Sequence, residues 1–287
     1  MLETVDHIVI AVRDLETSTA TLARLLGRRA SWRGDHADYG TANTLFRLDN
    51  TYVELLGVKR SGLLADRVAA RLDAHGDGLF ALALGTRDAA ATSRELRSRG
   101  LSAPDPAEGS GRETTTGVER SWRNFLLPES QTRGVTILVI EHRSPADRLP
   151  MAEATGDVRG AISACDHVVV NSSDADATRA IYGAELGIRL ALDKTFEQWG
   201  ARLLFFRLSG ITVEVAAPIA AVGSDGTDRL WGISYRVPDV DAARVRLERD
   251  GFDVSESRVG RKPGTHVCTV RGEPCGVATL LISRDGP

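Results

Sequence analysis

The sequence has few cysteines and no excess of positive charge, and each of these features excludes a class of protein. Its three cysteines are Cys165, Cys268 and Cys275. They are odd in number and lack the CxxC spacing of zinc or redox sites, so we expect reduced thiols and a cytoplasmic location. The 36 basic and 39 acidic side chains give a net charge of −3. No basic field attracts a phosphate backbone, so nucleic acid is not an expected partner.

Long apolar stretches are also missing. The longest runs, such as residues 135–140, have the length of a strand and are too short for a membrane span. The start of the chain lacks a basic region followed by an apolar one, so we expect no secretory signal and no membrane partner. Hydrophobic residues make up 42% and charged residues 26% of the 287 residues, which is typical of a folded protein long enough for two domains.

An internal duplication is the main feature of the chain. Short motifs recur 160 residues later without a gap, as from position 7 to 167 and from 54 to 214. The matching motifs are Asp6-His7 and Asp166-His167, Leu26-Gly27 and Leu186-Gly187, Phe46-Arg47-Leu48 and Phe206-Arg207-Leu208, and Val53-Glu54 and Val213-Glu214. We call these two segments the strong repeats.

Each strong repeat predicts a strand, a helix and three further strands. Ile8 and Ile10 alternate with other residues as in a strand, Asp14 is typical of a helix N-cap, and Gly27 is typical of a helix end. A weaker copy follows each strong repeat. The weak repeats have strands at 79–85 and 230–237, helices at 88–100 and 239–251, and closing strands at 135–140 and 277–282. The chain therefore contains four βαβββ units.

The four units predict the domain organisation. One βαβββ unit leaves a sheet face open, so two units should pair to close an eight-stranded cup with its helices outside. We predict an α+β protein with domains at residues 1–143 and 161–287. Residues 144–160 contain prolines, glycine and charges with little periodicity, which is typical of a linker.

Paired βαβββ units that begin with Asp-His resemble the vicinal oxygen chelate superfamily. That superfamily includes glyoxalase I, methylmalonyl-CoA epimerase, extradiol dioxygenases and bleomycin- or fosfomycin-resistance proteins. Residues 6–15, 36–43 and 52–56 are similar to its glyoxalase-like domain branch. The resemblance implies two domains of the glyoxalase/bleomycin-resistance type, a small-molecule ligand, and a monomer or homodimer.

The resemblance also implies where a divalent metal would bind, because family members draw ligands from the first and last strands of paired units. The first-strand positions of the four units are His7, Ala81, His167 and Gly232, and the last-strand positions are Glu54, Leu138, Glu214 and Leu280. The strong repeats thus supply four candidate ligands and the weak repeats supply none. Zinc, nickel, cobalt, manganese and iron are not distinguished by this pattern.

Two pairings of the units remain open at this point. If consecutive units pair, each cup contains one His and one Glu, and we expect a metal to be weakly held or absent. If the two strong repeats face each other, His7, Glu54, His167 and Glu214 form one two-His, two-Glu site.

Two functions of different class are compatible with the pattern. The first is a lyase or isomerase that abstracts a proton next to a carbonyl, with Glu54 and Glu214 as catalytic bases, because burial in an apolar cup raises the proton affinity of a carboxylate. His7 and His167 then hold the metal or orient the carboxylate. The second is a non-catalytic protein that sequesters a drug or metabolite, as the antibiotic-resistance relatives do.

Further candidates for substrate binding lie near predicted strand ends. They are His36, Tyr39, Asn43, Trp122, Trp199 and Trp231. Packing explains such aromatic residues equally well. Phe196 replaces His36 in the second strong repeat, so the first cup matches the glyoxalase-like pattern more fully. Arg47 and Arg207 recur in both repeats and fit either an anion-binding role or a structural ion pair.

Overall fold

The computed structural model describes residues 1–36, 38–219 and 226–284. In the first half the elements are β1 (Thr4–Ala11), α1 (Leu15–Leu26), β2 (Trp32–His36), β3 (Thr41–Arg47), β4 (Tyr52–Val58), α2 (Leu63–His75), β5 (Gly78–Gly85), α3 (Ala89–Ser98), β6 (Ala107–Glu113), β7 (Glu119–Leu126) and β8 (Thr136–His142). In the second half they are β9 (Ala164–Asn171), α4 (Ala175–Arg179), β10 (Arg189–Phe196), β11 (Ala201–Leu208), β12 (Ile211–Pro218), β13 (Arg229–Arg236), α5 (Val240–Arg249), β14 (Arg258–Val259), β15 (Thr265–Val270) and β16 (Ala278–Arg284). None of the described helices is long and apolar enough to cross a membrane.

The first half forms a closed barrel in the order β1-β4-β3-β2-β6-β7-β8-β5. Strand β1 pairs in parallel with β4 of its own unit and antiparallel with β5 of the next unit. Closure comes from the short pairing of β2 with β6, where Gly34 lies opposite Glu113 and Asp35 opposite Arg112. Consecutive units therefore pair, and the first cup contains one strong and one weak repeat.

The second half repeats this order in an open sheet, β10-β11-β12-β9-β13-β16-β15-β14. Strand β9 pairs antiparallel with β13, as β1 does with β5. The edge strands of this open sheet are β10 and β14. Strand β14 has only two residues. The predicted α+β fold with two eight-stranded sheets is confirmed. The two strong repeats lie in separate sheets, so the single site built from both is wrong.

The helix ends follow the local sequence. Asp14 accepts a hydrogen bond from the Thr17 amide at 3.0 Å, and Gly27 takes the left-handed conformation with φ of 64°. Asp174 caps α4 in the same way. After α4, however, residues Ala180–Glu185 form a π-helical turn, so the duplicated helix differs from α1.

Helix α2 is an addition to the βαβββ pattern, inserted between β4 and β5. Its residues Leu64, Val68 and Leu72 recur every fourth position and form one apolar stripe. This stripe packs against side chains of β1, β4 and β5, namely Val9, Ala11, Leu56 and Ala81. The helix therefore fills one end of the first barrel and leaves the remainder as a cavity.

The two halves share one hydrophobic core, and a buried arginine crosses between them. Arg246 on α5 donates from Nε to the Gly160 carbonyl at 3.0 Å and from Nη2 to the Leu25 carbonyl at 2.8 Å. It also donates to the Arg24 carbonyl. These bonds satisfy the carbonyl end of α1, whose oxygens have no partner within the helix.

Residues 144–160 pack against the first half. Arg47 donates from its guanidinium to the carbonyls of Ala146 and Leu149, and its carbonyl accepts from the Ala152 amide at 2.9 Å. The anion-binding interpretation of Arg47 is therefore replaced by a structural one. Arg207, its duplicate, is exposed.

Replacing Arg246 with Met should lower the free energy of unfolding by about 2–4 kcal/mol, because buried carbonyl oxygens lose their donor. Arg249→Met is the matched control, since Arg249 lies on the same helix with an exposed side chain. We expect that control to cost less than about 0.5 kcal/mol. Urea unfolding of the three proteins measures both values, and equal losses would contradict the role given to Arg246.

Candidate functional site

A cavity of about 240 Å³ lies inside the first barrel. Most of its wall is apolar or aromatic, from residues such as Trp32, Leu45, Leu56, Phe80 and Leu138. A few polar groups converge on it, which is the usual composition of a small-molecule site. Six of the predicted site residues line the cavity: His7, His36, Tyr39, Asn43, Glu54 and Trp122.

Strand alternation explains why these side chains face inward. On β4, Tyr52, Glu54 and Leu56 line the cavity, while Val53 and Leu55 point to the outer core. The same period on β7 turns Trp122 inward together with Arg120 and Asn124. Glu54 and Trp122 therefore come from different βαβββ units of the same cup.

The central contact joins His7 to Glu54. His7 Nε2 lies 3.4 Å from Glu54 Oε2, and both residues are buried. The ring of His7 stacks on Tyr52 with centroids 4.5 Å apart and an interplanar angle of 15°. The opposite ring nitrogen, Nδ1, lies 2.7 Å from Asp6 Oδ1. Stacking and this hydrogen bond fix the imidazole with Nε2 toward Glu54.

Asn43 and His36 hold the other side of Glu54. Asn43 Nδ2 donates to Glu54 Oε1 at 2.7 Å and lies 3.3 Å from His36 Nε2, while His36 Nδ1 lies 3.1 Å from Thr41 Oγ1. Burial lowers the pKa of His36, so its ring is neutral near pH 7. With Nε2 next to a donor, the ring proton belongs on Nδ1, facing Thr41. In the described chain, Asn43 Oδ1 is buried without a hydrogen-bond partner.

Asp6 is a part of the site that the sequence pattern did not single out. Burial on its own raises the pKa of Asp6, but hydrogen bonds with His142 and His7 outweigh it and hold the pKa well below the ordinary range. His142 Nε2 lies 3.0 Å from Asp6 Oδ2. Because His142 ends β8, the weak repeat helps to fix His7 of the strong repeat.

The second half has the same His–Glu pair as the first, but different residues surround it. His167 Nε2 lies 3.6 Å from Glu214 Oε2, and burial raises the pKa of Glu214. At the positions of Asn43 and His36 stand Leu203 and Phe196, so Glu214 lacks the amide that holds Glu54.

The two tryptophans predicted for the second cup are exposed. Trp199 has 40% and Trp231 has 52% of its surface accessible. Trp199 stacks on Phe196 with centroids 4.4 Å apart, and the Arg261 guanidinium lies 3.6 Å from the Trp199 ring centroid. These residues are thus on an open sheet, and their role in substrate binding stays a prediction.

The residues of the first cavity do not fit a tightly held catalytic metal. At the four ligand positions that the resemblance implies, His7 and Glu54 offer donors, whereas Ala81 and Leu138 present apolar side chains to the same cavity. A catalytic zinc requires three protein ligands. Within residues 1–36, 38–219 and 226–284, no group of three His, Cys, Asp or Glu is placed to hold an ion. We derive no chemical step through a metal.

Arg120 is a charged cavity residue that the sequence pattern did not single out. Its guanidinium carbon lies 5.5 Å from the Trp32 ring centroid and 5.6 Å from that of Tyr52. The signal was present in the sequence, because Arg120 shares the strand face of Trp122. The position was overlooked since residues 107–126 show no clear apolar alternation.

Replacing Asp6 with Asn tests the network beneath His7. The pKa of Asp6 is lower in the folded protein than in the unfolded chain, where an Asp titrates at about 3.9. Ionised Asp6 therefore stabilises the fold above that pH, and the contribution is lost as the pH falls toward the folded value. We expect Asp6→Asn to cost about 1–3 kcal/mol near neutral pH.

The cost of Asp6→Asn should shrink as the pH is lowered below about 4, because the wild type then loses the same contribution. Urea unfolding over this pH range measures the difference. Asp66→Asn, an exposed position on α2, should stay within about 0.5 kcal/mol of the wild type. A cost for Asp6→Asn that is the same at every pH would contradict the assignment.

Comparison with protein families agrees with this architecture. The model described as "Glyoxalase-like domain" matches residues 5–160. The model of the Glyoxalase/Bleomycin resistance protein/Dioxygenase superfamily matches residues 166–269. No curated protein matches the sequence.

Solved structures share the fold at low sequence identity. A variant of 4-hydroxymandelate synthase from Streptomyces coelicolor superposes with a TM-score of 0.72 and 14% identity, covering 99% of this chain and 93% of that one. A hypothetical protein from Staphylococcus aureus gives 0.65 and 12%, covering 96% and 97%. A xylose isomerase-like TIM barrel/4-hydroxyphenylpyruvate dioxygenase fusion protein gives 0.62 and 15%, covering 100% of this chain and 49% of that chain. These superpositions show the same fold, and the family match over residues 5–160, more than half of the chain, together with the match over residues 166–269, shows that the chain belongs to the glyoxalase-like domain family, as a tandem member of the vicinal oxygen chelate superfamily.

Proposed function

We propose that the first cup is the active site of a metal-independent lyase or isomerase that removes a proton next to a carbonyl of a small molecule. The observation that carries the proposal is the Glu54 carboxylate, which lines the cavity with Oε1 held by the Asn43 amide and Oε2 3.4 Å from His7 Nε2. A general base must be held within hydrogen-bond reach of the proton that it takes.

Glu54 takes the proton in this proposal. Its carboxylate lies in a largely apolar wall, where little water competes with a substrate C–H for its lone pairs. Asn43 restricts rotation of the carboxylate, and Thr41 orients the His36 ring against which the Asn43 amide lies. Asn43 and His36 are thus positioning residues for the base.

Arg120 is the group able to favour negative charge on the substrate, because its guanidinium adds a positive charge to the cavity wall. A carbonyl oxygen that gains charge as Glu54 takes the proton would be stabilised by the N–H groups of Arg120. Asp6 binds His7 Nδ1 and so places Nε2 on the Glu54 side.

A second candidate function is binding without turnover. It is favoured by the apolar and aromatic character of most of the cavity wall, and by the fact that both Glu54 oxygens already have partners in the structure. In that case the cup sequesters an apolar small molecule, and Glu54 serves only to orient it.

Proton removal can be measured without knowing the product. In deuterium oxide, nuclear magnetic resonance follows the exchange of the proton next to the carbonyl in 2-oxo acids, 2-oxoaldehydes and acyl thioesters selected by a thermal-shift screen. Glu54→Gln keeps the shape of the side chain and removes the base, so we expect the exchange rate to fall by about 10²–10⁴. Ligand binding should persist in the Glu54→Gln variant.

Glu214→Gln is the matched control, because the duplication places Glu214 at the same strand position in an open sheet. It should cost less than Glu54→Gln. An unchanged rate in Glu54→Gln with a collapsed rate in Glu214→Gln would move the site to the second half. Ligand binding with no exchange in the wild type or in either variant would favour sequestration.

Metal independence has its own expected outcome. Exchange should survive dialysis against a chelator, since only two of the four ligand positions in the cup carry donors and, among the described residues, no three His, Cys, Asp or Glu side chains are placed to hold an ion. Metal analysis of the same samples measures the ion content. Loss of exchange on chelation, with recovery on adding back one divalent ion, would show this part of the proposal to be wrong.

A further inference from the structure

Arg120 is a buried cation that forms no ion pair with any carboxylate of the described residues. Only 8% of its surface is accessible, and it lines the cavity from β7. In the described chain it forms no ion pair, unlike its neighbour on the strand, Arg123, whose Nε lies 2.6 Å from Glu108 Oε1. Burying a charge without a partner is costly, so a group that stays unpaired in a cavity wall indicates a ligand that supplies the opposite charge.

The acidic groups nearest the cavity already have partners. Glu54, which lines it, accepts from Asn43 and lies 3.4 Å from His7 Nε2, and Asp6, behind His7, contacts His7 and His142. Arg120 instead contacts the faces of Trp32 and Tyr52. Such contacts hold the guanidinium in place without using its N–H donors on another charge.

We infer that Arg120 binds the carboxylate of the substrate, and that the substrate is therefore a small carboxylic acid with an apolar or aromatic body. This inference rests on the proposed function in so far as the acid occupies the same cavity as Glu54. The planar fork of N–H groups matches two carboxylate oxygens. The cavity volume of about 240 Å³ and the Leu45, Leu56 and Phe80 side chains limit the remainder of the molecule to a small apolar group.

The test uses pairs of probes that differ only in charge. The pairs are benzoate and benzamide, phenylacetate and phenylacetamide, and 4-methylpentanoate and 4-methylpentanamide. Calorimetric titration should show that the wild type binds at least one acid about tenfold or more tightly than its amide. In Arg120→Gln the affinity for the acid should fall to that for the amide. The affinity for the amide should change by less than about threefold. Arg120→Lys, which keeps the charge and loses the fork, should be intermediate.

Arg123→Gln is the matched control, because Arg123 lies on the same strand and binds Glu108 on the outer surface. It should retain the full preference for the acid. Thermal unfolding supplies a second measurement: Arg120→Met removes an unpaired buried charge, so its melting temperature should equal or exceed that of the wild type. A purely structural Arg120 would lower the melting temperature in the Met and Lys variants alike.

Three results would overturn the inference: equal affinity of the wild type for acids and amides, a preference for acids that survives in Arg120→Gln, or failure of every acid to bind. The outcome is separable from the proposed function, because binding is measured without turnover. Glu54→Gln should keep the preference for acids. Proton exchange that is absent while Arg120 still selects acids would remove the catalytic role and leave the ligand class in place.

Discussion

The antiparallel pairing of β1 with β5 determines what each cup contains. It joins a strong repeat to the weak repeat that follows it along the chain, and β9 with β13 does the same in the second half. A cup therefore receives its His and Glu from one unit. The other unit has residues without metal-binding side chains at the two positions where the resemblance implies ligands. Pairing of the two strong repeats would have produced four donors around one point, and the chemistry available to the protein would be that of a metal.

Barrel closure is the second constraint, and it is the main structural difference between the two halves. Both keep a His–Glu pair at 3.4 to 3.6 Å. In the first half β2 pairs with β6 and helix α2 fills one end, so the pair faces a cavity. In the second half the edge strands β10 and β14 do not pair with each other within the described residues. The side chains of His167 and Glu214 are 19% and 17% accessible, against 4% and 10% for His7 and Glu54. A charge in the more buried pair acts more strongly on a ligand.

The repeats, the helix caps and the inward face of Glu54 could be predicted from the sequence, because each depends on local periodicity or on a duplicated motif. The pairing of units could not, since it depends on contacts between segments about 70 residues apart, such as Ile8 with Leu82. Helix α2 was detectable from the spacing of Leu64, Val68 and Leu72 but has no counterpart in the βαβββ pattern. The roles of His142 and Arg120 could not be predicted because they depend on residues distant in sequence: Asp6 for the first, and Trp32 and Tyr52 for the second.

The division of labour between the paired units follows from these contacts. The strong repeat provides His7 and Glu54, the pair to which we assign proton transfer, and Asn43, which donates to Glu54. The weak repeat has Ala81 and Leu138 where metal ligands would stand, and it contributes Arg120 from the same barrel wall. A cup without a metal still needs a positive charge to stabilise an anion in an apolar cavity. In the proposed function a fixed guanidinium meets that need: the same unit that has apolar side chains at the ligand positions supplies Arg120, which forms no ion pair within the described residues.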